Sequence, residues 1–388
     1  MQNLRPLDGL RVLDLSQGVA GPHCGALFAE YGARVIKVEP PGGDWMRPLG
    51  SGAETGSAGF IYYNRGKESL AIDLKAAGAI DVILTLAEQS DVLIENNRPG
   101  VSDRLGIGFE AVKARQPRIV YVSVSGLGQV GPDANKPLSD TVAQAHSGLM
   151  MINRGRADVP YKVDTPIIDS ITGLYGFQTA TMALWGEPSQ RQARHLDISL
   201  VQSSAAIQGL RVLEYGLGGG AASGKLNAPA GSYPTADGWL ALTLVREADW
   251  QGICRAIQRP DLADDPKYAT FADRSDNFDD LIEILERITR TATTAQWTER
   301  LTAEGVLAKQ INDYGQWLAH PQTVGTDAAP TLQVSQHKQG PMVRTPGLAS
   351  YTALSPAIGQ HSREILAEVG ISAEQIETWV GAGAVVAP

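Results

Sequence analysis

The chain has 388 residues, 43% hydrophobic and 19% charged, with 42 acidic against 33 basic side chains and a formal charge of −9. That balance suits a soluble enzyme of two domains and excludes a general nucleic-acid binder, since no basic stripe appears. Two distant cysteines, Cys24 and Cys254, exclude a disulfide scaffold and a zinc site, and no apolar run approaches the roughly 18 residues of a membrane span.

The opening MQNLRPLDGLRVLDLS runs straight into a strand at Arg11–Leu15. It lacks the charged and apolar regions of a signal peptide, so the cytoplasm is the expected location. Gly21-Pro22 then opens a helix carrying Cys24, Leu27, Phe28 and Tyr31, closed by Gly32. Strands follow at Arg34–Glu39, Ser69–Leu74, Asp91–Glu95 and Arg118–Ser123, with a helix from about Lys75 to Gln89. Strands separated by helical patterns predict βαβ units and a parallel sheet, an α/β large domain over 1–216.

Residues 217–232 (LGGGAASGKLNAPAGS) are dense in Gly and Ala and read as a linker or mobile loop. A smaller α+β domain is expected over 233–330, with a strand at Trp239–Leu244 and helices near Asp249–Ile257, Asp279–Arg290 and Ala295–Ala303. Residues 331–388 form a C-terminal segment returning to the large domain, with short strands at Thr331–Val334 and Pro341–Arg344 and two terminal helices. After the first strand the glycines are Gly18, Gly21 and Gly25, which is not the dinucleotide fingerprint, and no phosphate-loop motif occurs.

Asp169 is the candidate that draws most attention. It follows Ile167-Ile168 at the entrance of an apolar helix pattern through Leu174, Phe177, Ala180 and Leu184. Such a carboxylate is either a helix cap or, in a site that holds an activated acyl group, a nucleophile.

Short segments stand in a fixed order along the chain. They are Leu15-Ser16-Gln17-Gly18-Val19-Ala20-Gly21-Pro22, Gly32 to Pro40, Asn64-Arg65-Gly66-Lys67-Glu68-Ser69 and Glu95-Asn96-Asn97-Arg98-Pro99-Gly100. Asp103-Arg104-Leu105-Gly106, Ser123 to Gly128 and the Asp169 segment complete the set, joined later by Ala236-Asp237-Gly238-Trp239 and Ile358 to Leu366. Together they resemble the family III CoA-transferases of the CaiB/BaiF type, which include formyl-CoA:oxalate and carnitine CoA-transferases. The resemblance implies a Rossmann-like large domain that binds coenzyme A, and two subunits interlocked as a homodimer. It also implies an acyl-CoA donor, a small carboxylic acid acceptor, and Asp169 as the residue forming acyl anhydride and aspartyl-CoA thioester intermediates. No metal is implied.

By the same resemblance the cofactor contacts are expected at Val19, Arg47, Lys67, Asn96, Arg98, Arg104 and Lys136, with Lys37 a further candidate. Arg104 is the best phosphate contact, because a guanidinium can hold two phosphate oxygens at once. Gly218, Gly219 and Gly220 are either a lid with oxyanion donors or a plain linker. Val19 stands where formyl-CoA enzymes carry a glutamine, and Asn97 replaces a common aromatic residue. His146 reads either as a packed core residue or as a wall of the acceptor pocket. A 2-methylacyl-CoA racemase of the same fold is the alternative, but its histidine has no counterpart at Leu138-Ser139.

Overall fold

The protein is described by a computed structural model covering residues 4–154, 159–220, 227–349 and 351–388. Short apolar strands build a seven-stranded sheet. Its spatial order is Val385–Val386, Glu68–Ile72, Arg34–Glu39, Arg11–Asp14, Val92–Glu95, Val120–Ser125 and Arg194–Ser199. Neighbours run parallel, except that Val385–Val386 pairs antiparallel with Ile72 and Ala71.

Helices cover both faces, so successive residues of a strand enter different cores. Leu13, Ile36, Leu70, Leu93 and Tyr121 pack with Ile83 and Leu86 of helix Ala79–Glu88, and with Ile365, Leu366 and Trp379 of the C-terminal helices. Val12, Val35, Ile94, Val122 and Val124 join a second core with Phe28 of helix Ala20–Glu30 and Ile168, Ala180 and Leu184 of helix Ile167–Leu184. Each fully buried aliphatic side chain contributes roughly 1.5–3 kcal/mol to holding these layers together.

Strand order places the functional crevice. From Arg11–Asp14 the sheet grows one way through Arg34–Glu39 and the other way through Val92–Glu95. Ligands of such sheets bind at this reversal, beyond the carboxyl ends of the strands. Here that end carries the loop Leu15–Val19.

The chain divides into two compact units, Met1–Gly209 with Asp327–Pro388, and Leu210–Thr326. The second unit has a three-stranded antiparallel sheet, Leu307–Gln310, Trp239–Thr243 and Gly231–Pro234. Its core gathers Tyr233, Leu240, Trp250, Ile253, Leu281, Leu285 and Trp297. Arg274 is fully buried there, donating to the carbonyls of Ala228 and Tyr268 at 2.8 Å each and stacking over Phe271. No helix among the described residues is long and apolar enough to cross a membrane.

Several elements differ from their sequence readings. The helix expected from Lys75 begins at Ala79, after Gly78 adopts a left-handed φ of 84°. Arg118–Ser123 is displaced to Val120–Ser125, and the strand Arg194–Ser199 has no counterpart in the sequence reading. Within 217–232, Leu217 ends a helix and Gly231 opens a strand, while 221–226 lie outside the described residues.

Candidate active site

Helix Ile167–Leu184 opens on Pro166, which has no side-chain cap to offer. The cap comes from another helix, Asp140–His146. One oxygen of Asp140 accepts the N–H groups of Ile168 at 2.7 Å and Asp169 at 3.1 Å. Its other oxygen accepts the Gln144 amide at 2.6 Å, and Gln144 in turn receives the Val163 N–H at 2.9 Å. Asp140 and Gln144, one helical turn apart, therefore fasten both the approach segment and the helix start. An anion at this position also suits the positive end of the helix dipole.

With the cap supplied by Asp140, the Asp169 carboxylate accepts no hydrogen bond among the described residues. Burial pushes its pKa up to about 7, and the nearby charge of Asp140 adds to the rise. Asp169 is thus half-buried, beside a like charge, and poised to change ionisation near neutrality.

The next residue, Ser170, is held at both of its polar ends. Its carbonyl lies 2.8 Å from His23 Nδ1. Since a carbonyl only accepts, Nδ1 carries the proton. Burial lowers the pKa of His23, so the imidazole is neutral. The Ser170 hydroxyl meets the Tyr63 hydroxyl at 3.2 Å, and Tyr63 packs edge-on against His23 with ring centroids 5.4 Å apart. His23 can reach this carbonyl because Gly173 lets the two helices nearly touch. A Cβ at Gly173 would lie 2.6 Å from the Ala20 carbonyl oxygen and 2.7 Å from His23 Cβ.

Beside this helix start, the loop after the first strand rests on buried ion pairs. Lys37 and Asp44, both fully buried, pair at 2.8 Å. Lys37 also donates to the Ser16 carbonyl at 2.8 Å, while Asp44 accepts the Gly18 N–H at 3.1 Å. Asn96 completes the frame: its amide accepts the Gln17 N–H at 2.9 Å and donates to the Gln17 carbonyl at 2.7 Å. Backbone that would otherwise be mobile is fixed from below and from the side.

The expected cofactor contacts separate by burial. Lys67 is enclosed, and its three ammonium hydrogens meet Asp14 at 2.7 Å, the Pro22 carbonyl at 2.9 Å and Asn64 at 2.9 Å. No donor is left for a phosphate. Arg47 is likewise engaged, paired with Glu39 at 2.6 Å and lying 3.6 Å over the Phe60 ring. Lys37 is committed to Asp44, so these three bases are internal frame in this conformation. Val19 is buried at the start of its helix and presents no polar side chain. Arg98 and Arg104 are exposed on either side of the turn at Gly100, with no ion-pair partner among the described residues. Lys136 is exposed and pairs with Asp133 at 2.7 Å.

His146 ends its helix exposed to solvent, which overturns the packed-core reading. Gly218, Gly219 and Gly220 continue the end of helix Gly209–Leu217, with N–H groups bonded back to Glu214, Gly216 and Tyr215. Left-handed φ values of 67° and 89° at Gly219 and Gly220 identify a helix stop. Their N–H groups are engaged and do not face an oxyanion in this conformation. Sequence reading passed over Asp140 as a cap, and over His23, Tyr63 and Ser170. The Asp140-x-x-x-Gln144 spacing and the polar tips inside the apolar Phe60-Ile61-Tyr62-Tyr63 run were the available signals.

Comparison with known proteins gives this geometry its context. Residues 7–362 match the model of CoA-transferase family III. The chain is 31% identical to the succinate–glutarate CoA-transferase of Agrobacterium fabrum, over 94% of this chain and 96% of that one. It is 33% identical to the acetyl-CoA:oxalate CoA-transferase of Acetobacter aceti, over 82% and 84%. The crystal structure of a CaiB/BaiF family protein from Brucella suis superposes with a TM-score of 0.82 at 29% identity, over 95% of this chain and all of that one. A half-buried carboxylate at the start of a helix capped from elsewhere in the chain thus sits within a match that spans residues 7–362, and the chain belongs to the CoA-transferase family III.

Proposed function

We propose that the chain moves CoA from an acyl-CoA to a carboxylic acid through a covalent intermediate on Asp169. The observation that carries this reading is a half-buried carboxylate relieved of capping duty by Asp140 and without a hydrogen-bond partner among the described residues, its pKa raised by burial. Weak solvation leaves it a better nucleophile than an exposed aspartate. Asp169 attacks the thioester carbonyl, the C–S bond breaks, and the thiolate leaves an aspartyl anhydride. Return of the thiolate to the Asp169 carbonyl expels the first acid and leaves an aspartyl-CoA thioester. The acceptor acid then runs the same two steps in reverse. One acyl activation replaces another, so no other energy source enters.

Arg98 and Arg104, exposed and without an ion-pair partner among the described residues, are the side chains best suited to the phosphates of CoA, with Lys136 held by Asp133. Asn96 acts on the pantetheine region through the Gln17 backbone that it fixes. The transferases named among the relatives favour this reading over a racemase. A second copy of the chain is the partner proposed for the helix Gly209–Leu217. Leu210, Val212, Leu213, Tyr215 and Leu217 are all exposed along it, more apolar surface than a lone subunit keeps. The interlocked homodimer accounts for that surface.

The experiment is trapping. Incubation with acyl-CoA and hydroxylamine should convert Asp169 to its hydroxamate, seen in the mass of its peptide. An unmodified Asp169 during turnover would refute the covalent route.

A further inference from the structure

The chemistry proposed for Asp169 develops a tetrahedral oxyanion at every step, and something must donate to it. The three glycine N–H groups at 218–220 are bonded back to their own helix. No lysine or arginine is among the groups that shift Asp169. Ser170 follows Asp169 directly in the chain, its hydroxyl lies 3.2 Å from that of Tyr63, and Tyr63 is near enough to feel the charge of Asp169. We infer that the Tyr63–Ser170 hydroxyl pair is the side-chain donor to the acyl oxygen carried on Asp169, an inference that rests on Asp169 being the nucleophile.

Three features support it. Tyr63 is buried, and burial raises its pKa, with Asp169 and Asp140 adding to the rise, so the phenol keeps its proton at working pH. Either hydroxyl can donate across this contact, and with the phenol, the more acidic of the two, donating to Ser170 Oγ the serine hydrogen is left for a third group. The serine itself cannot drift, because His23 Nδ1–H holds its carbonyl at 2.8 Å. His23 is the one residue of helix Ala20–Glu30 that is not buried. The pair gives a hydrogen bond only. No proton is transferred, and the C–O and C–S bonds made and broken are those already described.

The test compares Tyr63→Phe, Ser170→Ala and the double variant, with Tyr62→Phe as control. Ser170→Ala should lower kcat on the order of a hundredfold, as loss of one oxyanion donor does elsewhere, and Tyr63→Phe should lower it by releasing the serine hydroxyl from its aim. KM for the acyl-CoA should stay within about threefold, because the contact is made in the transition state. The double variant should be about as slow as the slower single, since the two hydroxyls act as one unit. Tyr62→Phe should keep the wild-type rate. An unchanged kcat for Ser170→Ala or Tyr63→Phe, a change confined to KM, or fully multiplicative losses would overturn the inference while hydroxylamine still labels Asp169 in the wild type. If the wild type itself carries no label, the nucleophile reading fails first and the donor assignment falls with it.

Discussion

Asp140 and Asp169 lie on different helices, yet the carboxylate of one accepts the backbone N–H of the other at 3.1 Å. The same carboxylate that steadies Asp169 therefore also adds to the rise that burial gives its pKa. Position and reactivity are coupled through one residue.

That coupling is separable by mutation. Asp140→Asn keeps an oxygen for the two N–H groups and removes the negative charge. The pH profile of kcat/KM should rise through about pH 7 in the wild type, where Asp169 ionises. In the variant the acidic limb should move to lower pH. An unmoved limb would mean that Asp140 is a cap and nothing more. Asp140→Ala should also lose the cap, costing about 1 kcal/mol of stability.

Stability should carry the opposite mark of the same residue. The folded-state pKa of Asp169 lies above its unfolded value of 3.8, so the folded chain holds this proton more tightly. Its contribution is fully present below the unfolded value and is lost as pH rises through about 7. Asp169→Asn should therefore be more stable than wild type by about 1–3 kcal/mol at alkaline pH, after allowance for partial exposure. Urea unfolding should show that gap closing near pH 4. A gap independent of pH would contradict the assignment.

Two bases from similar sequence contexts should fail in different ways. Lys67→Met strips the counter-charge from fully buried Asp14 and should cost roughly 3–5 kcal/mol in unfolding measurements. Arg104→Ala should leave the melting temperature alone and weaken CoA binding roughly tenfold or more, by isothermal titration. Equal stability losses in both variants would remove the distinction drawn between frame and ligand contact.

The helix contact at Gly173 should tolerate no side chain. Gly173→Ala places a methyl against the Ala20 carbonyl and His23, and overpacking of that kind costs about 1–3 kcal/mol. Gly381→Ala, in a helix with open space around it, should be neutral or slightly stabilising. Chemical denaturation of both variants settles it, and a harmless Gly173→Ala would show that the helices can separate.

Leu213→Glu with Leu217→Glu should convert a dimer to a monomer in light scattering, if the exposed helix face is covered by a second copy. A monomeric wild type would dispose of the interlocked arrangement.

Much of this was legible in the residues themselves. The strands that build the central sheet are short apolar runs, and Asp169 stood out by its place before a helix. The strand Arg194–Ser199 escaped because its first residues are exposed and its apolar content is low. Asp140 escaped because its partners lie 28 and 29 positions away, and capping is normally read from adjacent residues. Lys67 looked like a phosphate contact because residue type reveals charge but not enclosure; only the three surrounding oxygens show where that charge goes. The glycines at 218–220 show the same ambiguity, since a hinge and a helix stop both call for left-handed backbone.

The close crossing at Gly173 has a bearing on how the reaction must be staged. With one helix pressed against the other at Gly173, the backbone that carries Asp169 one turn earlier is held in place. On the proposed reading of Asp169, the thioester would then be brought to a helix that does not shift to meet it.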